Sequence, residues 1–320
     1  MVDDNYKENF NDLVIPHFQS GESRFFSYID QNNEQSREQM HFHHFPNAKK
    51  SILVIVPGTS EPSSNYAELI YDLRTDYEIY ILDLPGQGLS YTTDNQKINI
   101  SDFETYTRNF RHFINNVVAF ENNSQKDIFI LAHSLGGLIA ADYLSLNNQV
   151  IKKAILTAPM MRIKKSWHQE LYDFIVIPRF AKTKTDQYAS KWKEFNADPD
   201  LEMPGLGTSS SERWWSKRTF LLENLETTRG GPTWGWVHGM WKVTQKKALK
   251  KLKTDTPHLL FQAGDERYVG NAGQKYFCNK VNPDSCTFKQ SEFEEARHAI
   301  FHESDEYRNK AIEILLDYFK

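Results

Sequence analysis

The sequence predicts an α/β fold with a mostly parallel sheet, and two observations support that prediction. An almost continuous apolar run, such as residues 51–56, is typical of a strand buried on both faces. Strand-like runs alternate with helical patterns, as in sheets built by crossover connections. The alternation stops at residue 159 and resumes at residue 257. We therefore expect a core in two parts, residues 1–158 and 257–320, interrupted by an inserted segment, residues 159–256.

Each element of the core has its own sequence signal. Residues 1–22 are polar with a short amphipathic piece, which predicts a lead-in helix or arm. Residues 23–29 and 37–45 alternate as in an antiparallel hairpin. A long helix is expected from Ser101, where a Ser-Asp pair caps an apolar stripe at helical spacing. The remaining strands are expected at 51–56, 78–83, 128–132, 150–157, 257–263 and 285–290, and the remaining helices at 64–73, 135–146, 272–278 and 303–319.

The strand at 128–132 leads into a short motif, Ala132-His133-Ser134-Leu135-Gly136, which predicts a nucleophile elbow. A serine hydroxyl is a poor nucleophile at neutral pH, so it has to be held on a sharp strand-to-helix turn beside a base and backbone donors. Such a turn accepts only small neighbours, and Ala132, Gly136 and the following glycine are small. The alternative is an ordinary helix whose N-cap is Ser134. The strand, turn and helix context favours the nucleophile.

A serine nucleophile needs a base and an orienting carboxylate on later loops of the sheet. Asp265 directly follows the strand at 257–263 and is the predicted carboxylate, with Glu266 as its rival. His298 lies past the last strand and is the predicted base. Its rival, His302, is expected to cap or pair at the surface. His133 is expected to point away from the nucleophile because side chains alternate along a strand.

The oxyanion of a tetrahedral intermediate needs two N–H donors. The predicted donors are the backbone N–H of Leu135, at the start of a helix, and that of Thr59, on the loop after the strand at 51–56. No metal is expected. His298 and His302 have the spacing of a zinc helix, but Ala299 stands where zinc proteases carry Glu. The His41, His43 and His44 cluster lacks an acidic or Cys partner nearby, so a solvated strand face is expected there.

The inserted segment differs from the rest of the chain in composition. It holds all seven tryptophans, which suits a pocket lining or a lipid interface as well as a small core. It has 18 Lys and Arg against 11 Asp and Glu, net +7, whereas the rest has 20 against 31, net −11. Five lysines crowd residues 246–253, where a basic face could meet anionic lipid or simply solvent. We expect a basic helical lid with peripheral contact to an anionic membrane surface.

Composition bounds the location and the redox state. No apolar run approaches the ~18 residues of a membrane span. The first residues lack a basic region followed by an apolar one, so the sequence predicts a cytoplasmic protein, in contact with the inner face of the membrane. Cys278 and Cys286 make no metal pattern and are expected to be reduced thiols. The glycine-rich loop 83–90 lacks the residues of a phosphate-binding loop.

Several motifs together resemble the monoacylglycerol lipase group of α/β-hydrolases, and most closely its bacterial lysophospholipases. The matching residues are Gly58 and Glu61 with Tyr66 and Leu69; Asp83, Gly86, Gly88 and Ser90; the elbow; Ala158 to Met160; Ala263 to Arg267; and, in the lid, Gly230 to Val237. Pro57 and Ala132 depart from the group's His and Gly, as also happens in the lysophospholipase branch. The resemblance covers about residue 50 to the C-terminus. It implies an α/β-hydrolase fold and the roles already given to Ser134, Asp265, His298, Thr59 and Leu135.

Three functions are consistent with this sequence. The first is a serine acyl hydrolase that cleaves a single-chain lipid ester, a lysophospholipid or a monoacylglycerol, with no cofactor and no nucleic-acid partner. The lipid class follows from the resemblance and from the Trp-rich basic lid, and the Ser, His and carboxylate set does not decide it. The second is an esterase for small soluble or peptide-like substrates. The third is a non-catalytic binding module, which an intact set of site residues disfavours.

Overall fold

The computed structural model describes residues 5–30, 32, 34–48, 50–147, 150–164, 167–203 and 207–320. Its centre is an eight-stranded sheet in the order β1-β2-β4-β3-β5-β6-β7-β8. The first two strands form the predicted antiparallel hairpin, and β2 also pairs antiparallel with β4, whereas the remaining pairs of the sheet, from β4 to β8, are parallel. This is the predicted α/β-hydrolase architecture. The strands are β1 Glu22–Ile29, β2 Gln35–Phe45, β3 Ile52–Val56, β4 Glu78–Leu82, β5 Ile128–His133, β6 Lys153–Thr157, β7 His258–Phe261 and β8 Cys286–Lys289.

Helices cover both faces of the sheet, which explains why its central strands are apolar on both sides. One face of the sheet packs against α4, α6 and α9, and the other against α3 and α12. Every residue of β3, β4 and β5 is buried. The helices are α1 Tyr6–Asn9, α2 Ile15–Gln19, α3 Ala67–Leu73, α4 Phe103–Phe113, α5 Ala119–Glu121, α6 Leu135–Leu144, α7 Trp167–Thr183, α8 Ser211–Glu223, α9 Trp234–Val243, α10 Lys246–Leu249, α11 Asn271–Tyr276 and α12 Asp305–Tyr318.

Helix α4 begins where the sequence predicts. The Asp102 side chain accepts a hydrogen bond from the Glu104 N–H at 3.2 Å and so caps the helix. The predicted apolar stripe is buried, with Tyr106 and Phe110 fully shielded from solvent. The helix then continues through a π-helical turn, Ile114–Val118, into α5. The stripe is therefore core, and it fixes the face of the sheet on which the site's helix α6 also packs.

The inserted segment contains α7 to α10 and, over its described residues, adds no strand to the main sheet. Its tryptophans range from buried through half-buried to exposed. The Trp236 side chain is buried and its indole N–H donates to the Tyr106 hydroxyl at 3.0 Å. Trp192 and Trp215 are 52% and 40% exposed. The side chains of 167–174 lie outside the described residues, so Trp167 cannot be placed in this range.

The Lys-rich stretch around α10 is solvent-exposed on one side only. The five lysines of residues 246–253 are exposed, whereas Leu249 and Leu252 between them are buried in the core. The apolar side of this stretch is therefore already occupied by protein. Any contact it makes with a membrane would be electrostatic.

The histidines of the hairpin do not form a solvated face, so that prediction is wrong. His41 is fully buried and His44 is 8% exposed. His41 pairs with the buried carboxylate of Asp83, which the sequence does not place nearby because it lies more than 40 residues along the chain. Over the described residues, no group of His, Cys, Asp and Glu side chains could hold a metal ion.

The sequence predicts that the two cysteines are reduced thiols, and this prediction is wrong. Cys278 and Cys286 form a disulfide. The bond joins the π-helical turn after α11, Phe277–Val281, to the edge strand β8. The spacing of eight residues does not by itself indicate this contact, which forms because the chain doubles back between the helical turn and the strand. Among the described residues, no helix is long and apolar enough to cross a membrane.

Candidate active site

Ser134 stands between β5 and α6 in a strained backbone conformation. Its φ is +50° and its ψ is −115°, a region that a residue with a side chain rarely adopts. Such strain costs on the order of 1–3 kcal/mol and persists only where the surroundings enforce it. Here the Ser134 N–H donates to the Thr157 carbonyl at 3.0 Å, and the Ser134 carbonyl accepts from the Met160 N–H at 2.9 Å. The turn therefore has the geometry of a nucleophile elbow.

The small residues after Ser134 are required by close approach of other backbone. A Cβ on Gly136 would lie 2.3 Å from the Val56 carbonyl oxygen, and one on Gly137 would lie 2.7 Å from the Pro159 Cβ. Both positions are closed to any other residue unless the backbone moves. Ala132, by contrast, is fully buried in β5 and its methyl group fits.

His298 connects the serine to a carboxylate. Its Nε2 lies 2.9 Å from the Ser134 Oγ, and its Nδ1 lies 2.7 Å from the Glu266 Oε2. With the Nδ1 proton donated to the carboxylate, Nε2 is left as the acceptor for the serine hydroxyl. Ser134 and His298 are each 7% exposed, and Glu266 is 3% exposed. The three side chains form one buried hydrogen-bonded chain.

The predicted orienting residue, Asp265, is not part of this chain. Its carboxylate faces solvent, 41% exposed, and forms ion pairs with Arg267 at 2.7 Å and Arg297 at 3.4 Å. These two guanidinium groups, the nearer first, hold the pKa of Asp265 below its usual value. The prediction is therefore wrong by one residue, and the rival, Glu266, occupies the position.

The loop after β7 decides which of the two acids faces His298. A Cβ on Gly264 would lie 1.8 Å from the Glu294 carbonyl oxygen, so the loop runs directly beside that segment. The Asp265 N–H donates to the Ala296 carbonyl at 3.1 Å, which turns its side chain outward and the next one inward. Glu266 Oε1 then accepts from the N–H groups of Tyr268 at 2.7 Å and Val269 at 3.2 Å.

The surroundings of Glu266 stabilise its ionised carboxylate. Burial alone would raise its pKa, but His298 and the two backbone donors lower it. The sequence offers no signal that separates the two acids, because Arg267 and Arg297 could pair with whichever of them faces solvent.

The loop after β3 lies against the elbow. A Cβ on Gly58 would lie 3.2 Å from the Ser134 Cβ, and Thr59 follows directly. The loop is held by side chains: Glu61 Oε2 accepts from the Gly58 N–H at 2.8 Å, and Gln87 Nε2 donates to the Gly58 carbonyl at 3.0 Å. The Thr59 N–H has no acceptor among the described residues.

On the other side of the serine, Leu135 opens α6. The first N–H groups of a helix have no intrahelical acceptor, and the helix dipole favours negative charge there. Leu135 and Thr59, the two predicted donors, thus stand on the two backbone segments that flank Ser134.

Behind the serine lies a cluster of titratable groups that the sequence does not bring together. His133 does not bond to Ser134, but its ring lies 4.7 Å from that of His298 and its Nδ1 lies 3.1 Å from the Thr157 Oγ1. Burial lowers the pKa of His133 to about 4. Burial alone would raise the pKa of Glu61, but His133 and Lys217 lower it to about 2.

Two members of this cluster correct or extend the sequence prediction. His302 is not a surface residue: it is 5% exposed, its Nε2 lies 2.7 Å from the Asn65 carbonyl oxygen, and burial moves its pKa well below the usual value. Lys217, on α8 of the inserted segment, reaches to 4.0 Å from the Glu61 Oε1. Burial lowers the pKa of its ammonium group, although Glu61 opposes that shift.

A central strand of the mostly parallel sheet ends at a strained serine, and a helix follows that serine. The loops that carry the acid and the base come after later strands. This arrangement defines an α/β-hydrolase. The family described as serine aminopeptidase, S33, matches residues 47–305. The chain belongs to that family.

Relatives and solved structures agree with this assignment. The chain is 28% identical to lysophospholipase L2 of Escherichia coli (strain K12) over 279 residues, 84% of this chain and 80% of that protein. It is 31% identical to phospholipase YtpA of Bacillus subtilis (strain 168) over 265 residues, 80% of this chain and 90% of that protein. A soluble variant of monoglyceride lipase from Saccharomyces cerevisiae has a similar fold, with a TM-score of 0.72 at 17% identity over 94% of this chain and 95% of that one. The predicted resemblance to the lysophospholipase and monoacylglycerol lipase type is confirmed.

Proposed function

We propose that the chain is a serine hydrolase that cleaves the acyl ester of a single-chain lipid, most specifically a lysophospholipid, and releases a free fatty acid. The observation that carries the proposal is the buried hydrogen-bonded chain from Ser134 through His298 to Glu266, at the tip of a strained elbow. Nucleophile, base and orienting carboxylate are then three groups in contact, as serine catalysis requires.

The reaction proceeds through an acyl-enzyme. Ser134 Oγ attacks the ester carbonyl carbon while His298 Nε2 takes the hydroxyl proton, and the same proton then passes to the departing glycerol oxygen. Water then attacks the acyl-enzyme while His298 Nε2 takes a proton from the water. The proton passes to Ser134 Oγ, and the fatty acid leaves. Glu266 keeps the His298 ring in the tautomer that accepts at Nε2 and stabilises the imidazolium that forms. No step needs a metal or an organic cofactor.

The negative charge of each tetrahedral intermediate develops on the former carbonyl oxygen. The N–H groups of Leu135 and Thr59 are the proposed donors to that oxygen. Glu61 and Gln87 hold the loop that carries Thr59, so the donor is oriented before the substrate arrives. Each such donor is worth about 10²- to 10³-fold in rate.

The lipid class rests on the relatives and on the inserted segment. Two relatives that align over four fifths of this chain or more are named as a lysophospholipase and a phospholipase. The inserted segment, net +7, touches the loop beside the serine: Ser60 Oγ donates to the Gly230 carbonyl at 3.2 Å, and Lys217 pairs with Glu61. It is the proposed lid, and its cations suit a phosphate-bearing headgroup better than a neutral glycerol.

The same segment is the proposed contact with an anionic membrane surface. Ile175 on α7 is 72% exposed, and exposed Trp192 and Trp215 add aromatic surface of the kind found at lipid interfaces. The exposed lysines of residues 246–253 would each contribute about 1 kcal/mol near such a surface. A vesicle sedimentation assay with neutral and anionic lipid tests this: the chain should bind only the anionic vesicles, and salt should release it.

A cytoplasmic location, on the inner face of the membrane, stays a proposal, and the disulfide provides its test. Disulfides persist in oxidising compartments and are rare in the cytosol. Because Cys278 is buried, the thiols are alkylated in denaturant at the moment of cell lysis, and Cys278 and Cys286 should both be modified if the chain resides in the cytoplasm. Cysteines that resist alkylation until a reductant is added would place it in an oxidising compartment instead.

The activity is tested by measuring product release from four esters and one amide side by side. The substrates are lysophosphatidylethanolamine, lysophosphatidylcholine, a monoacylglycerol, a short-chain nitrophenyl ester and an aminoacyl nitroanilide, the last because of the family's description. The proposal predicts fastest fatty-acid release from the lysophospholipids. Preference for the monoacylglycerol would correct the headgroup, turnover of the short ester alone would overturn the lipid assignment, and preference for the nitroanilide would replace an esterase by a peptidase.

A further inference from the structure

A second set of Ser, His and carboxylate side chains lies on the N-terminal hairpin, away from the elbow. Ser23 is on β1, His41 is on β2, and Asp83 follows β4 directly. His41 Nε2 lies 2.9 Å from the Ser23 Oγ, and His41 Nδ1 lies 2.7 Å from the Asp83 Oδ2. A nucleophile within hydrogen-bonding reach of a base, and a base oriented by a third group, is the signature of an activated serine.

The carboxylate is held firmly enough to orient the base. Asp83 is 1% exposed, and its Oδ1 accepts from the Ser63 N–H at 2.6 Å while its Oδ2 accepts from the Leu89 N–H at 2.9 Å. A buried carboxylate with two backbone donors is an acceptor, so His41 donates its Nδ1 proton to it. The His41 Nε2 then carries a lone pair, and the Ser23 hydroxyl donates to it. This is the proton arrangement that a nucleophilic serine needs.

The serine of this set is open to solvent, whereas its base is not. Ser23 is exposed, while His41 is fully buried behind it. Phe25, two residues along the same strand and 48% exposed, places its ring 5.0 Å from the His41 ring. A small acyl donor that reaches Ser23 therefore meets an exposed apolar surface and a base in contact with the hydroxyl.

We propose that Ser23 is a second acylatable serine, which accepts acyl groups from small activated esters independently of Ser134. In the step, the Ser23 hydroxyl proton passes to His41 Nε2 as Oγ bonds to the carbonyl carbon. The carbon–oxygen bond to the leaving group then breaks, and a leaving group such as nitrophenolate departs with the bonding electrons and takes up the proton. The step is redox-neutral and needs no other reactant.

The hairpin serine lacks what the elbow provides for turnover. Ser23 lies in a regular strand paired with β2 and not at the start of a helix. Without preorganised donors, an acyl group on Ser23 should form slowly and stay, because the same charge development limits its hydrolysis. The site is therefore an acceptor that fills once, not a second centre of turnover.

The test uses the full chain with Ser134→Ala, which removes the elbow nucleophile, and nitrophenyl acetate as the probe. Peptide mapping by mass spectrometry should find Ser23 as the acetylated serine. Ser124 serves as the internal control, because it is exposed as Ser23 is and no hydrogen bond joins it to a histidine of the described residues. Ser23 should be acetylated at least about 10²-fold faster than Ser124, the contribution expected of a positioned base.

Two further variants separate base assistance from simple exposure. In the Ser134→Ala background, His41→Gln should slow acetylation of Ser23 by about 10²-fold, and Ser23→Ala should remove the label altogether. His41 is buried, so circular dichroism must show that its variant is folded. The comparison of Ser23 with Ser124, which is likewise exposed, needs no substitution at a buried position and decides the question alone if His41→Gln fails to fold. Equal acetylation of Ser23 and Ser124, or label at other residues only, would overturn the proposal.

Discussion

The elbow and the hairpin carry the same three kinds of side chain at the same separations. Serine to histidine is 2.9 Å in both, and histidine to carboxylate is 2.7 Å in both. The backbone around the two serines differs. Ser134 has a positive φ at the start of a helix beside the β3 loop, whereas Ser23 lies in a regular strand. The hydrogen-bonded chain provides a route for a proton in both places, and at the elbow we propose N–H donors that also stabilise charge.

We therefore attribute most of the rate enhancement of ester hydrolysis to the groups that surround the serine. A positioned base contributes about 10²- to 10⁴-fold, and each oxyanion donor a further 10²- to 10³-fold. The hairpin has the first contribution and lacks the second. We therefore expect turnover only at Ser134.

The largest effect is expected from removing the elbow serine. Ser134→Ala should lower kcat for the preferred lipid by about 10⁶-fold, because base and donors cannot act without the nucleophile. Fatty-acid release measures the loss, and a thermal melt checks that the fold is intact. Ser27→Ala is the control and should turn over as the wild type does. Sustained turnover by Ser134→Ala would mean that another residue, Ser23 included, is the nucleophile.

The next effect separates the two neighbouring acids after β7. Glu266→Gln should lower kcat by about 10⁴-fold, because an amide does not hold the His298 ring in the required tautomer. Asp265→Asn removes only exposed ion pairs with two arginines and should change kcat less than about threefold. Steady-state kinetics on one lipid substrate decides between them. The reverse order of effects would restore the sequence-based assignment of Asp265.

A smaller effect is expected from the group that holds the oxyanion loop. Glu61→Ala leaves the Gly58 N–H and the Tyr66 hydroxyl without their acceptor and should lower kcat by about 10²-fold with little change in KM. Glu61→Gln keeps an oxygen for Gly58 and should recover most of that loss. Equal losses in both variants would show that the charge opposite Lys217, rather than the loop geometry, is what matters.

The smallest effect concerns stability, not rate. Burial depresses the pKa of His133 to about 4, so between pH 6.5 and 4 the unfolded chain binds a proton that the folded chain does not. Stability should therefore fall as the pH falls through that window, by about 2 kcal/mol at pH 5. Melting temperatures of the wild type and of His133→Gln between pH 7 and 4 measure it. The variant should show a shallower decline, and parallel curves would rule out His133 as the cause.

The fold and the elbow at Ser134 were predictable because their signals are local. Continuous apolar strands and the small residues around Ser134 report directly on burial and on close backbone approach, and the described strands and elbow lie where they predict. The choice between Asp265 and Glu266 depends on how the loop packs against Glu294 and Ala296, some 30 residues away. A one-residue rotation of a loop exchanges the two side chains, and no local pattern records it.

The buried polar groups were missed for a related reason. Histidine and lysine are buried less often than apolar residues, so their sequence positions alone suggest surface residues. His41, His302 and Lys217 are nevertheless buried or half-buried, because distant strands and loops supply their partners, Asp83, Asn65 and Glu61. Burial of a polar group depends on its partner, and the partner is a property of the tertiary structure. The disulfide between Cys278 and Cys286 was also missed, because cysteine content indicates only the usual redox state of a compartment and not whether two thiols are close in space.

The proposed reaction requires that Ser134, activated by His298 and Glu266, form the acyl-enzyme of a lipid ester. The most direct test is a rapid-quench reaction of the wild-type protein with lysophosphatidylethanolamine, followed by peptide mapping of the quenched enzyme. We expect a fatty acyl group on Ser134, formed in the first turnover and lost as free fatty acid appears. Fatty-acid release with no acyl group ever detectable on Ser134, or with the acyl group on another residue, would contradict it.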